Sequence, residues 1–139
     1  MRLARPLLVV LLFAGCARAL YAAYVSTSPR APDDVYGCVQ EQLRKLRFSR
    51  TQYDTGDRWI VAQRIDSTGQ VSSGLYRRTV DVIEARARPD ASGNTTIELK
   101  VRTFDEFATT RGLTQEERPA SAAAKREAQQ LALACSQVT

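Results

Sequence analysis

Three cysteines, Cys16, Cys38 and Cys135, constrain this 139-residue chain more than any other feature. What they are free to do depends on the residues before the first of them. Residues 1–15 join a basic start, Met1-Arg2-Leu3-Ala4-Arg5, to an apolar run from Leu7 to Gly15, which is the pattern of an export signal. A membrane-spanning helix needs about 20 apolar residues, and prolonging this run through Ala17 to Val25 would bury Arg18 in hydrocarbon. Spanning is therefore the weaker reading. Processing at this junction takes Cys16 out of the pairing count, so Cys38 and Cys135 remain as one pair in an oxidising compartment and are expected to be bonded. Two buried free thiols, or a two-cysteine metal site without histidine, fit an exported chain less well. Closing a loop of about 100 residues stabilises by up to ~4.7 kcal/mol, a large share of what a small domain has.

Composition narrows the function classes. With 44% apolar, 25% charged and 7% aromatic residues, the chain is neither a disordered tail nor a multi-pass membrane protein. The formal charge is +5, and +3 once Arg2 and Arg5 leave with the leader; this is too mild to argue for nucleic acid. There is no histidine, which removes the usual general base and the commonest zinc ligand. No G-x-S-x-G, G-x-G-x-x-G, G-x-x-x-x-G-K or S-x-x-K pattern occurs. Asp105-Glu106 could supply paired carboxylates, but neighbours after a strand point apart, and they read as solvated charges. No catalytic residue, metal ligand or cofactor is expected. Asn94-Thr95-Thr96 matches a glycosylation sequon and reads as a hairpin turn.

Residues 17–32 hold small and polar side chains with two prolines and read as a tether. The domain then spans 33–139. Asp33 is a plausible N-cap, and Val35, Cys38, Val39, Leu43 and Leu46 recur at helical spacing. Gly37 inside that helix costs about 1 kcal/mol against Ala, and close approach beside Cys38 would explain it. A last helix begins near Pro119, with Ala124, Ala128, Leu131 and Cys135 on one stripe. Between the helices, segments 48–53 and 58–65 read as a hairpin with Trp59, Val61 and Ile65 on one face. A Ser/Gly-rich connection, 67–74, leads to a second pair, about 77–88 and 95–104.

Charge chooses the register of that second pair. If facing residue numbers sum to 184, Ala87 meets Ile97, Ala85 meets Leu99, Ile83 meets Val101 and Asp81 meets Thr103. The reverse face then opposes Arg86 to Glu98 and Glu84 to Lys100. Gly93 falls in the loop, where a positive φ is wanted. Segment 105–118 reads as polar loop. The expectation is an α+β fold in the order α-β-β-β-β-α, a four-stranded antiparallel sheet with two helices on one face. In that arrangement Val80, Val82, Arg102 and Phe104 share the face away from the helices and form the candidate interaction patch. Alternatively the ribbon twists so that Phe104 packs under the 67–74 connection.

Phe13-Ala14-Gly15-Cys16 resembles the bacterial lipobox, which implies cleavage before Cys16 and acylation of that cysteine. Ala17-Arg18-Ala19 resembles an ordinary A-x-A site, which would release a soluble protein beginning at Leu20. With Ala rather than Asp after the cysteine, the lipobox resemblance further implies sorting to the outer membrane, with the domain facing the periplasm. Leader, lipobox, tether, then a helix ending in Leu43-Arg-Lys-Leu46-Arg-Phe48 before a hairpin resemble small bacterial envelope lipoproteins, including the helix-grip domains of the barrel-assembly lipoprotein BamC. That likeness implies a non-catalytic adaptor, held to the membrane by its N-terminal lipid and bound to another envelope protein. A ligand-binding domain with a pocket between helices and sheet, secreted or periplasmic, is the other class to weigh.

Overall fold

A computed structural model of the chain describes residues 18–66, 71–72 and 75–137. The leader and Cys16 lie outside these residues, as does most of the 67–74 connection. Along the chain run β1 (Ala22–Ser28), α1 (Pro32–Lys45), β2 (Ser49–Asp54), β3 (Trp59–Asp66), β4 (Val71–Ser72), β5 (Leu75–Pro89), β6 (Thr95–Thr109), β7 (Gly112–Arg118) and α2 (Ala122–Ser136). The fold is α+β, but the four-stranded sheet is overturned. Among the described residues, six antiparallel strands build the main sheet in the order β1-β6-β5-β3-β2, with β7 beside β1 on the same flank of β6, and two-residue β4 pairs β5.

Both additional long strands come from segments expected to be irregular. Residues 22–28, inside the supposed tether, pair with 95–101 of β6 from Ala22↔Val101 to Ser28↔Thr95. Residues 112–118, inside the supposed polar loop, fold back on 103–109. Neither carries the apolar alternation by which a half-buried strand announces itself. The inward positions of β1 are Ala22, Tyr24, Ser26 and Ser28, and β7 is exposed along nearly its whole length. Backbone pairing with the unusually long β6 organises them instead.

The ribbon at the centre of the sheet keeps the register that charge dictates, Ala87↔Ile97, Ala85↔Leu99 and Ile83↔Val101, and continues it from Arg77↔Phe107 to Pro89↔Thr95. The opposed charges are used diagonally. Glu98 meets Arg88 at 3.8 Å, and Glu84 accepts the indole N–H of Trp59 at 2.8 Å. Gly93 has φ +86° in the connecting loop, where Asp90 accepts the backbone N–H groups of Ser92 and Asn94.

α1 opens with Pro32 after Ala31, two residues before the expected cap, and Asp33 and Asp34 supply the negative first turn. It stops at Arg47, whose φ of +63° lets the Phe48 N–H return to the Leu43 carbonyl at 2.9 Å and turns the chain into β2. α2 begins after Ser121, whose hydroxyl accepts the Ala124 N–H at 3.1 Å. Val35, Val39 and Leu43 of α1 and Ala124, Ala128 and Leu131 of α2 close over Ile60, Ala62, Ile83, Ala85, Ile97, Leu99 and Val101. Thus Ile60 and Ala62 of β3 face the helices, while Trp59 and Val61 occupy the other side. A Cβ at Gly37 would meet nothing within 4 Å, so close approach beside Cys38 is not why glycine stands there.

Candidate functional site

Helical spacing places Cys38 in the first half of α1 and Cys135 in the last turn of α2, and the two are bonded, with an S–S distance of 2.10 Å and Cα atoms 5.7 Å apart. Cys135 is wholly buried in the core. Cys38, midway along α1, meets the end of α2, while Arg64 bridges Leu46 after α1 to Glu127 near the start of α2, so the helices run antiparallel across the sheet.

At the opposite end of the helix pair a polar network holds the same layers together. Asp81 faces the helices and is nearly buried, so its carboxylate needs partners. It receives the Thr103 hydroxyl at 2.7 Å and the Ser121 hydroxyl at 3.0 Å, and Arg64 approaches at 3.4 Å. Arg64 also forms a two-pronged pair with Glu127, both contacts 2.7 Å, donates to the Leu46 carbonyl, and lies 4.6 Å over the Phe48 ring. These contacts raise the Arg64 pKa further, with the Glu127 hydrogen bond the largest cause. Sequence reasoning did not assemble this group. Its one legible sign was Asp81 opposite Thr103 on an otherwise aliphatic face.

On the reverse face the four patch residues do come together, Val80 opposite Phe104 and Val82 opposite Arg102. Their character differs from the expectation. Val80 is 2% exposed and is not offered to a partner. Arg102 is fastened to Glu117 of β7 by two hydrogen bonds, 2.9 and 2.7 Å, and lies 5.0 Å over the Phe104 ring. The Glu117 carboxyl is held below its ordinary range by Arg102. β7, unforeseen from sequence, thus supplies the counter-charge for the patch. Farther along, Glu106 is 5% exposed, bonded to Gln115 at 2.8 Å and to Arg78. The Gln115 amide and then the Arg78 guanidinium hold its carboxyl low, against the upward pull of burial. Asp105 turns to the other face, toward Arg118 at 3.3 Å. The two adjacent carboxylates therefore do not converge on a common point.

Several open concavities occur among the described residues. An open groove of about 540 Å³ lies where β2 extends beyond the edge of α1, with Leu43, Phe48, Ile60 and Ala62 as floor and Gly37, Gln40, Arg44 and Arg50 along its sides. Arg50 stacks on Tyr53 at 4.0 Å. A smaller hollow of about 340 Å³ runs beside β1 on the reverse face, where Tyr21, Ala23 and Val25 meet the mixed charges of Glu84, Arg86, Glu98 and Lys100. Among the described residues no cluster of three or more metal-ligating side chains occurs, and no helix is long and apolar enough to cross a membrane.

No protein-family model and no curated protein matches the sequence. Among solved structures the chain is similar to a DUF4468 family protein from Bacteroides ovatus, at 13% identity and a TM-score of 0.39, over 70% of this chain and 59% of that one. It is also similar to Ara h 8.0201, at 15% identity and a TM-score of 0.38, over 84% of this chain and 94% of that one. The chain thus spans less than two thirds of the first of these proteins.

Proposed function

We propose that this chain is an exported cell-envelope protein, anchored through acylated Cys16, whose α+β domain is a non-catalytic adaptor for another envelope protein. The observation that carries the reading is the Cys38–Cys135 bond. A disulfide whose cysteines are 97 residues apart belongs to an oxidising compartment, and the basic-apolar leader ending at Cys16 supplies a route there. Acylation then favours a membrane-held domain, on the outer membrane and facing the periplasm if Ala17 acts as the sorting residue. The polar clusters support a scaffold role, since their carboxylates are engaged with arginines and hydroxyls of neighbouring elements.

The test is Cys16→Ser. Wild-type protein should incorporate labelled fatty acid and sediment with membranes, and the variant should lose the label and pass to the soluble fraction. Unchanged labelling in the variant would refute anchoring at this residue.

The groove beside α1 favours a second reading, a secreted or periplasmic ligand-binding domain. Its occupant would carry an apolar part for the Phe48/Ile60 floor and a carboxylate for Arg44 and Arg50. Against it, the space between helices and sheet is filled by aliphatic side chains, so the groove is a surface feature. Gly37→Trp, placed on its wall, should abolish such binding without unfolding the domain.

A further inference from the structure

We infer that the β1 edge of the sheet is a membrane-docking surface that seats the domain on the lipid bilayer, reverse face toward the headgroups. The inference rests on acylation at Cys16. With β1 starting at Ala22, the supposed sixteen-residue tether shrinks to the few residues between Cys16 and the sheet. Six residues reach at most about 20 Å when extended, so the first strand is held within headgroup distance of its own acyl chains.

The side chains at that place suit the position. Leu20 is 40% exposed, Tyr21 46% and Val25 72%. Ala23 and Val25 share the reverse face of β1 with their partners Lys100 and Glu98, and Lys100 caps the ring of Tyr21, just before the strand, with its ammonium 4.5 Å from the centroid. An aromatic ring with a polar tip beside a lysine is the pairing favoured at the boundary between hydrocarbon and water. From Ala19 to Pro29 the sequence has no charged residue.

The other outer strands differ. β2 carries Arg50 and Asp54 and is bulged between Arg50 and Gln52, and β7 carries Glu116, Glu117 and Arg118. Charges and bulges of this kind keep an open edge in water and away from other strands. β1 lacks both devices, at the one edge that the anchor presses against lipid. A patch this small would not hold a protein to a bilayer alone, but beside an acyl anchor it needs only to set the orientation.

The experiment uses full-length protein purified with its native modification and reconstituted in vesicles of phosphatidylethanolamine and phosphatidylglycerol, with or without brominated acyl chains. Mass spectrometry first reads the N-terminus. Unmodified Cys16 overturns the anchoring on which the inference stands, separately from anything the vesicles report. On acylated protein carrying Trp59→Phe, so that the introduced residue is the one tryptophan present, a tryptophan introduced by Val25→Trp should lose about half its emission or more to the brominated lipid. One introduced by Leu133→Trp, exposed on α2 in the opposite layer, should lose almost none. Adding Tyr21→Glu should reduce the quenching at position 25 while the protein stays acylated and vesicle-bound. Equal quenching at positions 25 and 133, or none at 25, overturns docking. Cross-linking between β1 strands that grows with protein density, without quenching, assigns the edge to a second copy of the chain and equally overturns it.

Discussion

The two ends of the helix pair are joined by opposite kinds of chemistry. Early α1 and late α2 share the Cys38–Cys135 bond; late α1 and early α2 are bridged by Arg64, which ties Leu46 to Glu127 and both to Asp81 of the sheet. The covalent link acts mainly by restricting the unfolded chain. The polar link acts in the folded state, where each buried group requires the others. The first fastening thus acts chiefly on the unfolded ensemble, while the second ties the start of α2 to β3, β5 and β6 in the folded state.

Breaking each end separately exposes the contrast. The largest effect is expected from Cys38→Ala combined with Cys135→Ala, a loss of about 2–5 kcal/mol measured by urea unfolding. Reduction of the wild type should reproduce it. Asp81→Ala leaves the Thr103 and Ser121 hydroxyls and one side of Arg64 without their acceptor, and should cost about 1–3 kcal/mol. Hydrogen exchange should then rise at the start of α2 and not at Cys135. If the disulfide end loosens equally, the two fastenings are one cooperative unit.

Gly37→Ala should stabilise by up to about 1 kcal/mol, since the position is helical and a Cβ there is unopposed. A loss of stability would show that α1 needs the flexibility beside its disulfide. The smallest change concerns acid. Glu106 has a folded pKa below its ordinary 4.5, so its contribution is complete above that value and lost as pH falls through the lower folded one. Glu106→Gln should flatten the acid limb of the stability profile and lower neutral stability through the lost charge in its contacts with Gln115 and Arg78. An unchanged acid limb would remove Glu106 from that account.

What could be read in advance divides along the same physical line. The disulfide was legible because cysteine is scarce and both Cys38 and Cys135 fall on the apolar stripes of helices that cover one sheet. The β5–β6 register was legible because opposite charges and an aliphatic face agree on a single alignment. Arg64, Asp81, Thr103, Ser121 and Glu127 are ordinary residue types scattered over four elements, and only the folded chain brings them together. β1 and β7 were read as irregular because their partner, not their own pattern, makes them strands. Val80 looked available as part of a surface patch for a related reason. Alternation tells which face a residue is on, but not whether that face is covered.

The pairing of β1 with β6 also sets an order of events. Val25 lies beside Glu98, so the first strand made must wait until more than half of the chain has followed before its neighbour exists. Closing so long a loop is entropically slow, and contacts of this range govern how fast a sheet protein can fold. Until β6 is complete, residues 22–28 have no place in the sheet. They therefore join the sheet only after β6 has been made, and their incorporation as an edge strand becomes one of the closing acts of folding.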